Sequence, residues 1–97
     1  MAVVIWNSSP EWNDELYEQT ATKLWGTLVP EDLPEGNLVH VAMPRPEGGW
    51  QVIDVWQTEE AYQAFLHAKL IPAATAVNAP PFDSKVIEAH TVLTRSS

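Results

Sequence analysis

The sequence predicts an α+β domain in the order β-α-β-β-α-β: one sheet of four antiparallel strands, with both helices on one of its faces. Three observations carry this. Short β-branched runs at Ala2–Trp6, Asn37–Met43, Trp50–Trp56 and Asp83–Thr94 read as strands. Two segments between them carry apolar residues at three- and four-residue spacing, which is the helical period. The two middle strands are joined by Pro44-Arg-Pro-Glu-Gly-Gly49, a connector that suits a hairpin. The chain of 97 residues, 45% of them apolar, is long enough for one packed core and is read as a single domain over residues 1–97.

Each element has its own signals. The first strand runs into Asn7-Ser-Ser-Pro10, where Ser9 is expected to cap a helix with Pro10 in its first position, a place that needs no N–H. Glu11, Asp14 and Glu15 then fall where the helix dipole favours negative charge. Trp12, Leu16, Thr20 and Leu24, flanked by Tyr17, Ala21 and Trp25, continue the helix to Gly26. Residues 27–36 hold Pro30 and Pro34 and read as a loop. Thr58 followed by Glu59 and Glu60 opens the second helix, whose apolar face is Ala61, Tyr62, Phe65, Leu66 and Leu70. Pro72 is expected to kink or break it, with a further helical turn over 73–77. The whole is the split β-α-β-β-α-β, or ferredoxin-like, arrangement.

Composition excludes several functions. Thirteen acids against five bases give a net charge of −8, the wrong sign for nucleic acid or an anionic membrane surface. Cysteine is absent, which removes disulfides, thiolate zinc sites and thiol nucleophiles. The run Ala2–Trp6 has no basic segment before it and is not a signal peptide, and no stretch approaches the roughly 18 apolar residues of a membrane span. A cytoplasmic location is expected. No His-x-His or His-x-x-x-His spacing points to a metal, and the four glycines form no phosphate cradle.

Sorting the strands by parity leaves apolar residues on both sheet faces. Val3 and Ile5 oppose Val4 and Trp6; Trp50, Val52 and Trp56 oppose Ile53 and Val55. Two helices cover only one face, so a second copy is expected to cover the other, sheet against sheet.

The block Gly48-Gly-Trp-Gln-Val-Ile-Asp-Val-Trp-Gln-Thr-Glu-Glu-Ala61, followed by Phe65 and Leu66, resembles the dimeric α+β barrel superfamily. The Ser-Pro-Glu segment at 9–11 and the His40-Val-Ala strand are similar to its antibiotic biosynthesis monooxygenase-like group. That resemblance implies a homodimer and a pocket between the helices and the sheet of each protomer. It also implies chemistry ranging from cofactor-free oxygenation of aromatic polyketides to heme degradation or isomerisation, so that fold alone does not set function. The heme-degrading branch uses an Asn on the first strand and a Trp and a His on the second helix. Asn7 matches, but Phe65 stands at the Trp position and Thr75 near that of the His, which argues against that branch and against a resident cofactor.

His40 and Asp54 are the candidate catalytic pair. If the hairpin pairs residues whose numbers sum to 94 they are directly opposite, at 92 they are diagonal, and at 93 they lie on opposite faces. In one reading Asp54 orients His40, which acts as a general base toward an acidic C–H or phenol. In the other the two make a buried polar contact. Trp50 and Trp56 share a strand face with Asp54 and are expected, with Asn7, Phe65 and His90, to shape a pocket for a flat aromatic ligand; the plain alternative for the tryptophans is core packing. Trp12 and Trp25 read as core or interface, and His67 as solvated. The expected function is a cofactor-independent oxygenase-like or cyclase- or isomerase-like enzyme, with a noncatalytic ligand-binding or structural homodimer as the rival. Which strand face lines the pocket stays open at this level.

Overall fold

The computed structural model describes residues 1–95. Its elements run β1 (Val3–Ser9), α1 (Asp14–Trp25), β2 (Asn37–Pro44), β3 (Trp50–Trp56), α2 (Glu59–Phe65), α3 (Ile71–Ala76) and β4 (Asp83–Glu88). The sheet order is β2-β3-β1-β4 with every neighbouring pair antiparallel, which is the expected ferredoxin-like α+β fold.

The pairing decides the faces. Val3 pairs with Trp56, Ile5 with Asp54, Asn7 with Val52 and Ser9 with Trp50, so these eight residues share the side that the helices cover. His40 pairs directly with Asp54, the register in which residue numbers sum to 94. Val3, Ile5, Trp56 and Tyr62 form the buried core, with Ala61, Phe65 and Leu66 of the second helical segment packed on it. Trp56 and Ile5 are wholly enclosed. The opposite face is apolar and uncovered: Trp6, Val41 and Ile87 are exposed, and Val4, Val39, Met43, Ile53 and Val55 half-buried beside them.

Three element boundaries differ from expectation. Asn7, Ser8 and Ser9 keep pairing with β3, so β1 runs to Ser9 and the helix begins only at Asp14. Its cap is Asn13, whose side chain accepts from the Leu16 N–H at 2.8 Å; Ser9 instead accepts from the Glu11 N–H in the turn before it. Pro72 does not break the helix. The chain widens to a π-helical turn over Leu66–Leu70, in which the Ile71 N–H bonds to the Leu66 carbonyl, and α3 resumes with Pro72 in its first turn, where no N–H is required. The fourth strand ends at Glu88 rather than Thr94, with one further hydrogen bond from the Ala89 N–H to the Ala2 carbonyl at 2.9 Å.

The hairpin between β2 and β3 closes through Arg45–Gly49 backbone hydrogen bonds, with Gly48 at φ +105 and Gly49 at φ +100. A Cβ on Gly49 would meet the Ser9 carbonyl oxygen at 2.2 Å and the Pro10 Cα at 2.6 Å, whereas one on Gly48 meets nothing within 4 Å. Gly48→Ala should therefore show only the strain of its backbone angle, about 1–3 kcal/mol. Gly49→Ala adds a clash with backbone that has nowhere to go, and should lose about 1–3 kcal/mol more in urea denaturation. Equal losses in the two variants would mean that the β1 end does not approach the hairpin this closely.

Candidate active site

Between the sheet and the helices lies a small cavity of about 70 Å³, well under the roughly 300–1,000 Å³ of a formed ligand site, so an aromatic ligand enters only as lining side chains move aside. Helix α1 supplies one wall through a single stripe: Tyr17, Thr20, Ala21, Leu24 and Trp25 recur at three and four residues and all line it. The sheet supplies the floor through Asn7, His40, Trp50, Val52 and Asp54. Trp12 and Phe82 meet edge to face at one end, with ring centroids 5.8 Å apart, and the Trp12 indole is tied to the Pro80 carbonyl at 2.6 Å.

Asp54 is buried, at 7% exposure, and its carboxylate accepts from His40 Nδ1 at 2.7 Å and from the Trp56 indole at a long 3.4 Å. A carboxylate only accepts, so His40 Nδ1 carries the proton and Nε2 of the neutral ring is an acceptor. The Tyr17 hydroxyl lies 2.6 Å from that Nε2 and donates to it. Tyr17, His40 and Asp54 thus form one hydrogen-bonded chain from helix to sheet. Trp25 stands at 88° to the imidazole with centroids 5.6 Å apart, and Trp50 lies 5.6 Å from the Tyr17 ring. Burial, and then the negative charge of Asp54, push the Tyr17 hydroxyl above its ordinary value of 10.0, so it stays a neutral phenol at physiological pH.

Two donors in this wall lack a protein partner. The indole N–H groups of Trp25 and Trp50 are buried and bond to no acceptor among the described residues. Such a group costs about 1–3 kcal/mol of desolvation unless something accepts from it. Both residues line the cavity, so an oxygen of a bound molecule is a suitable partner.

The structure brings His40, Asp54, Asn7, Trp50 and Phe65 together at the cavity. It does not bring Trp56 or His90 there. Trp56 is wholly enclosed in the core beneath Asp54, packed on Tyr62 and Phe65, because its strand position faces α2 rather than α1. His90 lies beyond the end of β4, exposed, with its Nδ1 beside the Thr91 hydroxyl at 2.7 Å. Asn7 is largely committed to the protein: its amide donates to the Tyr62 hydroxyl at 3.2 Å and its oxygen accepts from Ser84 at 2.5 Å, leaving one N–H. Tyr17 and Trp25 are the site residues that sequence reasoning missed. Both sat in the apolar periodicity of α1, and the signal available was that a stripe holding a Tyr and a Trp faces a strand pair holding a His and an Asp.

No protein-family model matches the sequence, and no curated protein matches it. Solved structures do. SnoaB, a cofactor-independent oxygenase from Streptomyces nogalater, superposes with a TM-score of 0.62 at 17% identity, covering 97% of this chain and 98% of that one. A Deinococcus radiodurans protein provisionally assigned as an antibiotic biosynthesis monooxygenase gives 0.57 at 14% identity over the whole of both chains. A variant of MhuD with two manganese protoporphyrin IX molecules per active site gives 0.60 at 20% identity, covering 98% and 100%. The chain therefore has the fold of the antibiotic biosynthesis monooxygenase-like proteins, while identities this low leave its chemistry to its own residues. Those residues do not suit a porphyrin metal. Both nitrogens of His40 are engaged, and His67 and His90 are exposed and off the cavity. Among the described residues no group of three or more His, Cys, Asp or Glu could hold a metal ion, and no helix is long and apolar enough to cross a membrane.

The charge coupling inside the site is measurable. Since burial outweighs charge, Asp54→Asn should lower the Tyr17 pKa part of the way and leave it above 10.0, as read by phenolate absorbance after subtracting a Tyr17→Phe spectrum. An unchanged titration would mean that the Asp54 charge does not reach Tyr17. A raised phenol pKa stabilises the fold fully below 10.0, and that contribution is lost as pH rises through the raised value.

Proposed function

We propose that the protein is a cofactor-independent enzyme that deprotonates an aromatic, polyketide-type small molecule held between the sheet and α1. The observation that carries this reading is a His40–Asp54 pair at 2.7 Å inside an apolar, tryptophan-walled cavity. Asp54 holds the imidazole in one tautomer and stabilises the imidazolium that forms when it gains a proton. Trp50 and Trp25 supply indole N–H groups to the oxygen on which negative charge develops, and excluded water strengthens both effects. The resulting enolate or phenolate is electron-rich enough to react with O₂ directly. When a ring CH₂ is oxidised to a ketone, its four electrons reduce O₂ to the new carbonyl oxygen and one water, and no external reductant is needed. Cyclisation or isomerisation would use the same base without O₂.

The working unit in this reading is a cytoplasmic homodimer closed over the outer sheet face. Trp6, Val41 and Ile87 on that face support it, since contiguous exposed apolar surface is uncommon on monomers. A structural homodimer would need that face alone, and a noncatalytic binding protein that face and the cavity. The His40–Asp54 pair inside the cavity is what favours an enzyme.

Two measurements test this. Native mass spectrometry of the purified protein should give twice the 10.8 kDa chain mass, and a monomer would remove the dimer. With 1,8-dihydroxyanthrone in air-saturated buffer, O₂ uptake should exceed the uncatalysed rate, and His40→Ala should lose about 100-fold or more of the excess. Uptake no faster than buffer would remove the oxygenase reading, and full activity in His40→Ala would remove His40 from the mechanism.

A further inference from the structure

Both ring nitrogens of His40 are already bonded, Nδ1 to Asp54 at 2.7 Å and Nε2 to the Tyr17 hydroxyl at 2.6 Å. A base whose acceptor atom is covered by a neighbouring hydroxyl takes no proton from a ligand unless that hydroxyl moves or takes part. Tyr17 itself lines the cavity, and its oxygen, having donated its one proton to His40, still has acceptor capacity.

We propose that Tyr17 is the catalytic residue that meets the substrate, and that the proton passes in two linked transfers. This rests on the reading of the cavity as a site for an acidic hydroxylated aromatic. The substrate O–H bond breaks and its proton bonds to Tyr17 Oη, while the Tyr17 O–H bond breaks and that proton bonds to His40 Nε2. Tyr17 ends as it began, a neutral phenol, now donating to the substrate oxyanion. His40 ends as an imidazolium donating to Tyr17 through Nε2 and to Asp54 through Nδ1. One negative charge appears on the substrate and one positive charge on the imidazole, so the step balances with no further reactant.

The local structure suits this role. Helix α1 holds Tyr17 one turn before Ala21 and two before Leu24 and Trp25, so the side chain is set by the same stripe that forms the wall. The ring is further fixed by lying nearly coplanar with His40, 15° between planes and joined to it through the hydrogen bond, and by Trp50 at 33° on its flank. A hydroxyl that is hard to ionise by itself is the right group for a relay, because it passes a proton on without resting as a tyrosinate.

4-Nitrophenol is a probe that reports binding and ionisation separately, the first by equilibrium dialysis and the second by the visible band of its phenolate. At a fixed pH near 7, the wild-type protein should bind it and raise the phenolate fraction above that of the free compound. Tyr17→Phe, which removes one oxygen and keeps the ring, should still bind it but lose about tenfold of the ionisation constant, equivalent to one pK unit. His40→Gln should lose about as much, and the double variant no more than either single one, because the two act as one path. Phenolate formation in Tyr17→Phe equal to wild type would overturn the relay while leaving the enzyme reading intact. Losses that multiply in the double variant would overturn it too, since independent residues behave that way. A wild-type protein that binds no 4-nitrophenol would bring down the cavity reading, and the relay with it.

Discussion

A carboxylate buried under a helix layer must be satisfied from within, and Asp54 sets much of this structure through that requirement. It sits at the middle of β3, paired on one side with Ile5 and on the other with His40, so the two strands that flank it also determine what can reach it. His40 meets it because direct cross-strand pairing places both side chains on one face. Tyr17 then satisfies the far side of the imidazole, which links helix α1 to β2 through one hydrogen-bonded chain. Removing His40 would leave the buried Asp54 carboxylate without its short hydrogen-bond donor, a loss of about 1–3 kcal/mol or more for a charged group, so geometry around Asp54 is held firmly.

The cavity exists because the two helical segments do different work. The second segment, α2 with its π-helical turn, packs Tyr62 and Phe65 against Trp56 and closes the core. Helix α1 instead presents aromatic and polar side chains to the sheet and leaves room between. The π-helical turn shifts the register of the chain ahead of Pro72, so α3 can still pack on α1 rather than veer away at the proline. That packing keeps Ala73 and Ala74 buried and frames the α1 wall from behind.

Two features of the wall are unfavourable for folding alone. Paired indole donors without protein acceptors and a buried titratable chain each lower stability relative to an apolar filling. Sites that bind or react commonly hold such features, because the groups left unsatisfied by the fold are the ones a ligand satisfies. The outer sheet face presents the complementary problem, apolar groups in excess of what the helices cover.

Strand alternation, helical spacing and turn residues were enough to determine the element order, the antiparallel sheet and the presence of apolar residues on both its faces, because these are local patterns with fixed periods. The likeness of the Gly48–Ala61 block to the antibiotic biosynthesis monooxygenase-like group led to the same fold. The pairing of His40 with Asp54 was legible as one of a few registers, and only the closed hairpin selects among them. Tyr17 and Trp25 were visible merely as members of an apolar stripe, since no local rule says which sheet residues a helix face will meet. The structure places Trp56 and His90 away from the cavity: face sharing does not tell a core position from a cavity position, and strand propensity does not mark where β4 stops pairing with β1. Tertiary structure alone decided that the Tyr, the His and the Asp touch, because contact between distant elements depends on how layers stack, which no sequence period encodes.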